Sequence, residues 1–257
     1  MLFEVAFLFF AGFFGGVLNS IAGGGSFITF PALIFVGIPH IMASATNTFA
    51  SCAGYISGTY AFRKELAEHK TELLRIVIIS LLGGICGAWL LLKTPEELFR
   101  EAIPWLLLFA TVLFIFGAQI NSKLKAMAKS HQHASVIGGV LLMVLLLAVS
   151  AYGGFFNAGL GIIVLSYLAL AGHTNINTMN GLKLLISTTV SLIAIVLFIY
   201  NGVIAWYEGS IVLCGTLAGG YVAANISRNL PQKQVRRFVI FASLATTFYF
   251  FFDSYSV

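Results

Sequence analysis

Two glycine-rich turns interrupt long apolar segments and carry amide and hydroxyl groups that could bind an anion. The first turn contains Asn19, Ser20, Gly23, Gly24, Gly25 and Ser26, and the second contains Asn157, Gly159 and Gly161. Glycine lets the backbone turn tightly and approach a ligand closely. Helices restarting at Ser26 and Gly161 would present free N–H groups and positive dipole ends. Two such ends facing one cavity could hold an anion; alternatively, the glycines only permit close helix packing.

Lys183 places a positive charge within an apolar segment. It shares one helical face with Asn180 and Ser187, and the matching face in the first half of the chain contains Asn47 but no charge. A lysine in a membrane is unfavourable unless it faces a cavity or a partner, so we expect a binding role; alternatively, its side chain extends to the membrane surface. No Asp or Glu lies in the interior of a predicted span, because Glu4, Glu72, Glu208 and Asp253 all lie close to span ends. The expected cargo is therefore an anion.

Two histidines, His40 and His173, follow the two turns at similar points. Histidine titrates near neutral pH, so these residues are the visible candidates for proton linkage. The alternative is that both lie at the membrane–water interface. The sequence contains no phosphate-binding loop, metal-ligand cluster or dinucleotide motif, so neither a cofactor nor a metal is expected.

The composition identifies the class of protein that must position these groups. Of 257 residues, 59% are hydrophobic and 9% are charged, and the mean hydropathy is +0.97. A soluble domain has about a quarter charged residues, so a water-soluble globule is excluded. At roughly 20 apolar residues per crossing, the chain has room for about eight to ten membrane segments. We predict an all-α polytopic membrane protein.

Hydropathy predicts six spanning helices and two broken regions. The spans lie near residues 43–62, 72–92, 102–121, 178–200, 206–226 and 234–253. Residues 3–37 and 135–172 each contain a long apolar helix, a Gly/Asn interruption and a second apolar stretch that is short for a full crossing. Each broken region is predicted to be a re-entrant hairpin that enters and leaves the membrane on the same side. Non-helical backbone at that depth requires burial in protein or a wet cavity.

Most of the 14 basic residues lie in three connections, at 63–75, 122–133 and 227–237. By the positive-inside rule these connections are cytoplasmic, which places both termini outside. Orientation in the membrane therefore explains the net charge of +5, and no nucleic-acid partner is expected. The expected partners are a small anionic substrate and the lipid bilayer, with a homo-oligomer left open.

The chain repeats itself at slightly more than half its length. Four matched motifs appear in the same order in both halves: Gly15–Asn19 with Gly153–Asn157, Gly23–Gly25 with Gly159–Gly161, Thr46-Asn47 with Met179-Asn180, and Gly83 and Gly87 with Gly215 and Gly219. Each half contains a hairpin plus three helices, an odd number of membrane segments, so the second copy must start from the opposite face. Such inverted repeats are typical of transporters. The predicted organisation is a first repeat at 1–121, a cytoplasmic linker at 122–134 and a second repeat at 135–257.

These motifs resemble those of the TauE/SafE family of sulfite exporters, a group of anion permeases. The resemblance rests on four stretches: Gly15-Gly16 with Gly23-Gly24-Gly25-Ser26-Phe-Ile-Thr-Phe-Pro31, Gly37-Ile-Pro39 with Ala43-Ser-Ala-Thr46-Asn47, Gly153-Gly154 with Gly159-Leu-Gly161, and Asn180-Gly-Leu-Lys183. It covers almost the whole chain. The resemblance implies a bacterial cytoplasmic-membrane protein that moves sulfite, sulfonates or related organosulfur anions, usually outward.

The sequence thus predicts a secondary permease, not an enzyme, that works by alternating access at a site between the two turns. Turn amides and hydroxyls would replace the anion's hydration, Lys183 would supply charge, and asparagine side chains would orient the anion. One alternative is an anion channel. Another is an intramembrane enzyme using the turn at Gly24-Gly25-Ser26, although the chain has no Gly-x-Ser-x-Gly motif.

Overall fold

The computed structural model describes residues 2–21, 23–67, 70–130, 136–226 and 232–255. In this part of the chain every regular element is an α-helix, which confirms the predicted all-α class. The helices, in chain order, are α1 (Leu2–Ile21), α2 (Ser26–Phe35), α3 (His40–Ala61), α4 (Arg63–Ala67), α5 (Lys70–Lys93), α6 (Glu96–Ser130), α7 (Val136–Phe155), α8 (Leu160–Leu170), α9 (Ile176–Tyr200), α10 (Trp206–Ile226) and α11 (Gln232–Tyr255).

Six helices of the described ranges are long and apolar enough to cross a membrane, namely α1, α5, α6, α7, α9 and α11. Four of them coincide with spans predicted from hydropathy. The predicted spans at 43–62 and 206–226 are also helical, as α3 and α10, but fall outside this set. In α3 the reason is a run of small polar side chains that are buried inside the bundle. These side chains contact other helices instead of lipid.

Each broken region forms two helices of unequal length. α1 and α7 have 20 residues each, whereas α2 has 10 and α8 has 11. At 1.5 Å per residue the short arms are about 15 Å long, roughly half the hydrocarbon thickness of a bilayer. Within the breaks, Gly23 and Gly159 have φ values of 79° and 75°. Glycine adopts this left-handed conformation without steric strain, which explains why both helices break at these residues.

The span predicted at 102–121 is part of a longer helix. α6 runs continuously from Glu96 to Ser130 and so includes most of the segment 122–134, whose role as a cytoplasmic linker stays a prediction. Residues 123–129 are Lys, Leu, Ala and Met, all good helix formers, so the helix continues beyond its apolar part. Parts of all three predicted basic connections lie outside the described residues, namely 68–69, 131–133 and 227–231.

The two long hairpin arms pack against helices of the other half through backbone contacts. α1 lies against α10, and α7 lies against α5. A Cβ atom on Gly219 would overlap the carbonyl oxygen of Phe13, and a Cβ atom on Gly87 would overlap that of Ala151. Gly87 and Gly219 therefore allow the helices to pack closely. Further contacts join α3 to α9 and α6 to α11.

Polar contacts mark the two ends of the bundle. At one end, His40 Nδ1 lies 3.1 Å from Glu96 Oε1, and Arg100 Nη2 lies 3.4 Å from Asp253 Oδ2. At the other end, His173 Nε2 lies 3.1 Å from Glu72 Oε1. Glu72 is in the first turn of α5 and Glu96 directly follows that helix. Because α5 has 24 residues, the two histidine–glutamate pairs are separated by about the 30 Å thickness of a membrane core.

Candidate functional site

A cavity of about 650 Å³ lies among α1, α3, α9 and α10, with the first hairpin turn in its wall. α3 lines it with its second half, from Ser51 to Phe62, and α9 lines it with its first turns, from Asn180 to Leu184. The cavity therefore lies toward the end of the bundle where α3 ends and α9 begins. The polar side chains in its wall are those of Asn19, Ser20, Thr29, Ser51, Tyr55, Ser57, Asn180, Lys183, Thr216 and Tyr221.

Lys183 is the single charged side chain among the described residues that line this cavity. Its Nζ atom donates a hydrogen bond to Asn180 Oδ1 at 3.3 Å. The two residues are three positions apart, so the helix directs both to the same face. The aliphatic part of Lys183 passes beside the second turn, because a Cβ atom on Gly161 would lie 3.4 Å from Lys183 Cδ. A cation in a wall without carboxylates among its described residues can attract an anion.

The start of α2 is held in place by Asn47 of α3. Asn47 Nδ2 donates to Ser26 Oγ at 3.1 Å, and Asn47 Oδ1 accepts a hydrogen bond from Thr29 Oγ1. A Cβ atom on Gly25 would overlap the carbonyl oxygen of Gly15, so the two arms of the hairpin touch through their backbones. The start of α2 is thus held at the cavity wall by one buried amide.

The second turn is centred on Asn157, which has a φ of 64° and is buried. Its Nδ2 atom donates to Thr48 Oγ1 at 3.4 Å and to Ser191 Oγ at 3.3 Å. Its Oδ1 atom accepts a hydrogen bond from the Tyr55 hydroxyl group at 3.3 Å. Asparagine tolerates positive φ better than most residues, and these hydrogen bonds satisfy its buried amide.

Five of the predicted site residues line the cavity: Asn19, Ser20, Gly25, Asn180 and Lys183. Ser26, Asn47 and Asn157 lie behind its wall, where they make the hydrogen bonds described above. Ser187 is buried within α9. The structure therefore gathers the asparagines and the lysine around one region, but only some of them border open space.

The other predicted turn residues lie elsewhere. A side chain at Gly24 would meet Val239 of α11, and one at Gly159 would meet Ala110 of α6 at 2.8 Å. Gly23 has no neighbour within 4 Å of an added Cβ atom. Two helix starts facing one cavity were expected, but only that of α2 is in the wall, because α8 packs closely against α6. His40 and His173 are paired with glutamates at the bundle ends, outside the cavity wall.

Tyr55 is the main site residue that the sequence analysis did not select. It lines the cavity beside Asn19, and its hydroxyl group donates a hydrogen bond to Asn157. It lies seven residues after Thr48, on the same face of α3. That spacing from a polar residue was a signal for its role. In the described ranges, no group of three or more His, Cys, Asp or Glu side chains could hold a metal ion.

Comparisons with known proteins agree that the chain is similar to membrane transporters. The family model described as sulfite exporter TauE/SafE matches residues 8–250. A probable membrane transporter protein of Haemophilus influenzae is 28% identical over 95% of this chain and 92% of its own length. A probable membrane transporter protein of Sinorhizobium is also 28% identical, over 94% and 90%, and YfcA of Escherichia coli is 26% identical over 96% and 90%. No solved structure matches the chain.

Proposed function

The chain belongs to the sulfite exporter TauE/SafE family and is a multi-pass membrane transporter; from this premise we propose that it is a secondary transporter for a small anion. The proposed cargo is sulfite, a sulfonate or a related organosulfur anion. The observation that carries the proposal is the cavity in which Lys183 is the only charge among the described wall residues. Amides, hydroxyls and an ammonium group can replace the water around an anion.

Lys183 supplies the charge in this proposal. Two unit charges about 4 Å apart attract each other by about 4 kcal/mol at the effective dielectric constant of about 20 typical of proteins. Dehydration of the anion offsets part of this attraction. Hydrogen bonds from Asn180 and Asn19, together with the N-terminal end of α2 beside Gly25, would replace the lost water contacts.

We propose further that the two halves form an inverted repeat. The backbone contact of Gly219 with Phe13 has a counterpart in that of Gly87 with Ala151. Ala151 follows Phe13 by 138 residues and Gly219 follows Gly87 by 132, the same intervals that separate the repeated sequence motifs. Equivalent residues thus make equivalent contacts, each between a long hairpin arm and a helix of the other half.

The hairpin ends support opposite entry of the two hairpins. The first hairpin ends before His40, which contacts Glu96 beyond the last turn of α5. The second ends before His173, which contacts Glu72 in the first turn of α5. Two hairpins whose ends lie near different ends of one spanning helix enter from different faces. Repeat boundaries at 1–121 and 135–257 remain part of this proposal.

Alternating access is the proposed mechanism. The cavity reaches the first turn from one end of the bundle, whereas Asn157 and Ser191 at the second turn are 1% and 0% exposed. A channel would need one continuous polar path past both turns. A carrier instead opens the two sides in turn, by movement of one half against the other. The closed second turn therefore supports a carrier.

The proposed location is the bacterial cytoplasmic membrane, with both termini outside and the basic connections inside. The cavity lies toward the same end as Arg63 and Arg75, so it would open to the cytoplasm. An inside-negative potential is worth about 2.3 kcal/mol per elementary charge per 100 mV and drives an anion outward. An anion loaded from the cytoplasm would thus be exported without a coupling ion; proton linkage through His40 and His173 remains a prediction.

Anion transport by Lys183 variants tests the function. Purified protein is reconstituted in proteoliposomes, and the flux of sulfite and of a small sulfonate is measured against concentration. We expect saturable flux in the wild type and at least a tenfold rise in the half-saturating concentration for Lys183→Gln, a factor worth about 1.4 kcal/mol. Lys183→Arg should retain part of the affinity because the charge remains.

Lys93→Gln is the matched control, because Lys93 is an exposed lysine at the end of α5, outside the cavity wall. It should leave the flux unchanged. Unaltered flux in Lys183→Gln would contradict the role of the charge. Flux that never saturates and shows no counterflow would identify a channel, and absence of flux for every organosulfur anion would reject the proposed cargo.

A further inference from the structure

We propose that Tyr55 is the gate between the cavity and the polar side chains around the second turn, an inference that rests on the proposed transport function. Tyr55 lines the cavity, yet it is only 7% exposed. Its hydroxyl group donates to Asn157 Oδ1, and Asn19 lies in the same cavity wall as Tyr55. Tyr55 therefore lies between the open cavity and the buried amide of Asn157.

A closed polar cluster lies on the far side of Tyr55. It consists of Asn157, Thr48 and Ser191, which are 1%, 2% and 0% exposed and are connected by the amide of Asn157. Asn157 is the sequence counterpart of Asn19, which borders the cavity. An anion leaving the cavity toward the opposite face would reach this cluster only after Tyr55 moved. Breaking the Tyr55–Asn157 hydrogen bond is thus the step that connects the two turns.

The chain contains a natural reporter for this movement. Cys52 lies four residues after Thr48 and three before Tyr55, so all three share one face of α3. Cys52 is 4% exposed and is not among the described wall residues, whereas its neighbour Ser51 lines the cavity. Ser51 therefore borders the cavity, whereas Cys52 lies behind the cavity wall on the face of α3 that carries Thr48 and Tyr55.

The test measures thiol modification at Cys52 by a small membrane-impermeant thiosulfonate. The full-length protein is used in proteoliposomes, with Cys86→Ser and Cys214→Ser because both residues are exposed. We expect Tyr55→Phe to increase the modification rate about three- to tenfold, the range that loss of one hydrogen bond of ordinary net strength allows. Tyr221→Phe, which removes a hydroxyl group from another wall of the same cavity, should leave the rate unchanged.

A second measurement compares the labelling rates of position 51, which lines the cavity, and position 52, which does not, in protein that retains Tyr55. Ser51→Cys, made with Cys52→Ser, should react at least tenfold faster than Cys52 does. Should Tyr55→Phe fail to fold, Asn157→Gly removes the partner amide while glycine still adopts the positive φ, and the same increase at Cys52 is expected.

Three results would overturn the gate: equal reactivity at positions 51 and 52, no rate increase in folded Tyr55→Phe or Asn157→Gly, or an equal increase in Tyr221→Phe. The labelling needs no substrate. A protein that transports no organosulfur anion but shows the expected Cys52 pattern would reject the proposed function and leave the gate standing, so the two failures are distinguishable.

Discussion

Asparagine side chains, more than charged ones, organise the region around the two turns. An amide both donates and accepts, so one side chain can join several hydroxyl groups without placing a net charge in the membrane. Asn47 does this for the first turn, with two partners on α2, and Asn157 does it for the second, with partners on α3 and α9. Lys183 is then left as the charge that a bound anion would meet, with an amide from Asn180 beside it.

Removal of Asn47 should destabilise the protein. Asn47→Ala would leave the buried Ser26 and Thr29 hydroxyl groups without their amide partner, at about 1–3 kcal/mol of unfolding free energy. Alanine is the better helix former, so a loss of stability cannot come from helix propensity. Unfolding in detergent, followed by circular dichroism, measures the change. Asn177→Ala, at an exposed position, is the control and should be neutral; equal stability of the two variants would contradict the role of Asn47.

At the scale of helices, the arrangement depends on where the backbones touch. α1 with α10 and α5 with α7 approach each other through glycines, which allows van der Waals contact over long stretches in the absence of a hydrophobic driving force between helices. α3 has a different role, because its small polar side chains are buried against both turns. That helix supplies Asn47 to one turn, and Thr48 and Tyr55 to the other.

Glycine substitutions at the two crossings should act alike. Gly219→Ala and Gly87→Ala would each place a methyl group against a carbonyl oxygen, and we expect each to destabilise the protein by about 1–3 kcal/mol. Gly139→Ala is the control, because a Cβ atom there meets nothing within 4 Å. It should be neutral or slightly stabilising, since alanine favours helix. Thermal unfolding in detergent measures all three. Unchanged stability at either crossing would contradict the close contact there.

At the scale of the whole molecule, each half of the chain packs extensively against the other half. The long arm of each hairpin lies against a helix of the other half, and α3–α9 and α6–α11 are further contacts between halves. These contacts join the two halves into one bundle. The movement proposed between the halves would therefore occur at the cavity and the turns, which lie where the halves meet. The cavity is open beside the first turn and closed beside the second. This asymmetry is what a transporter of inverted repeats shows in one of its two access states.

The proposed inverted repeat predicts on which side of the membrane each hairpin ends. In protein without its native cysteines, Pro39→Cys should react with an impermeant thiol reagent added outside cells. Thr174→Cys should react only in inverted vesicles; both positions are exposed. The physical reason is that His40 and His173, which follow them closely, lie near different ends of α5. Labelling of both cysteines from one side would contradict opposite entry of the hairpins.

The sequence alone determined the all-helical membrane class, the positions of the helix breaks and the family, because apolar segments of spanning length, glycines at turns and recurring motifs are local features of the chain. Lys183 was identifiable for a similar reason, since a lysine in an apolar segment is conspicuous. Tertiary structure decided which turn borders open space and which is sealed. Gly159 was expected beside the anion but packs on Ala110 of α6, and Tyr55 was not selected but lines the cavity and donates a hydrogen bond to Asn157 of the second turn. Both facts depend on contacts between residues far apart in the chain, which the spacing of residues along one helix does not specify.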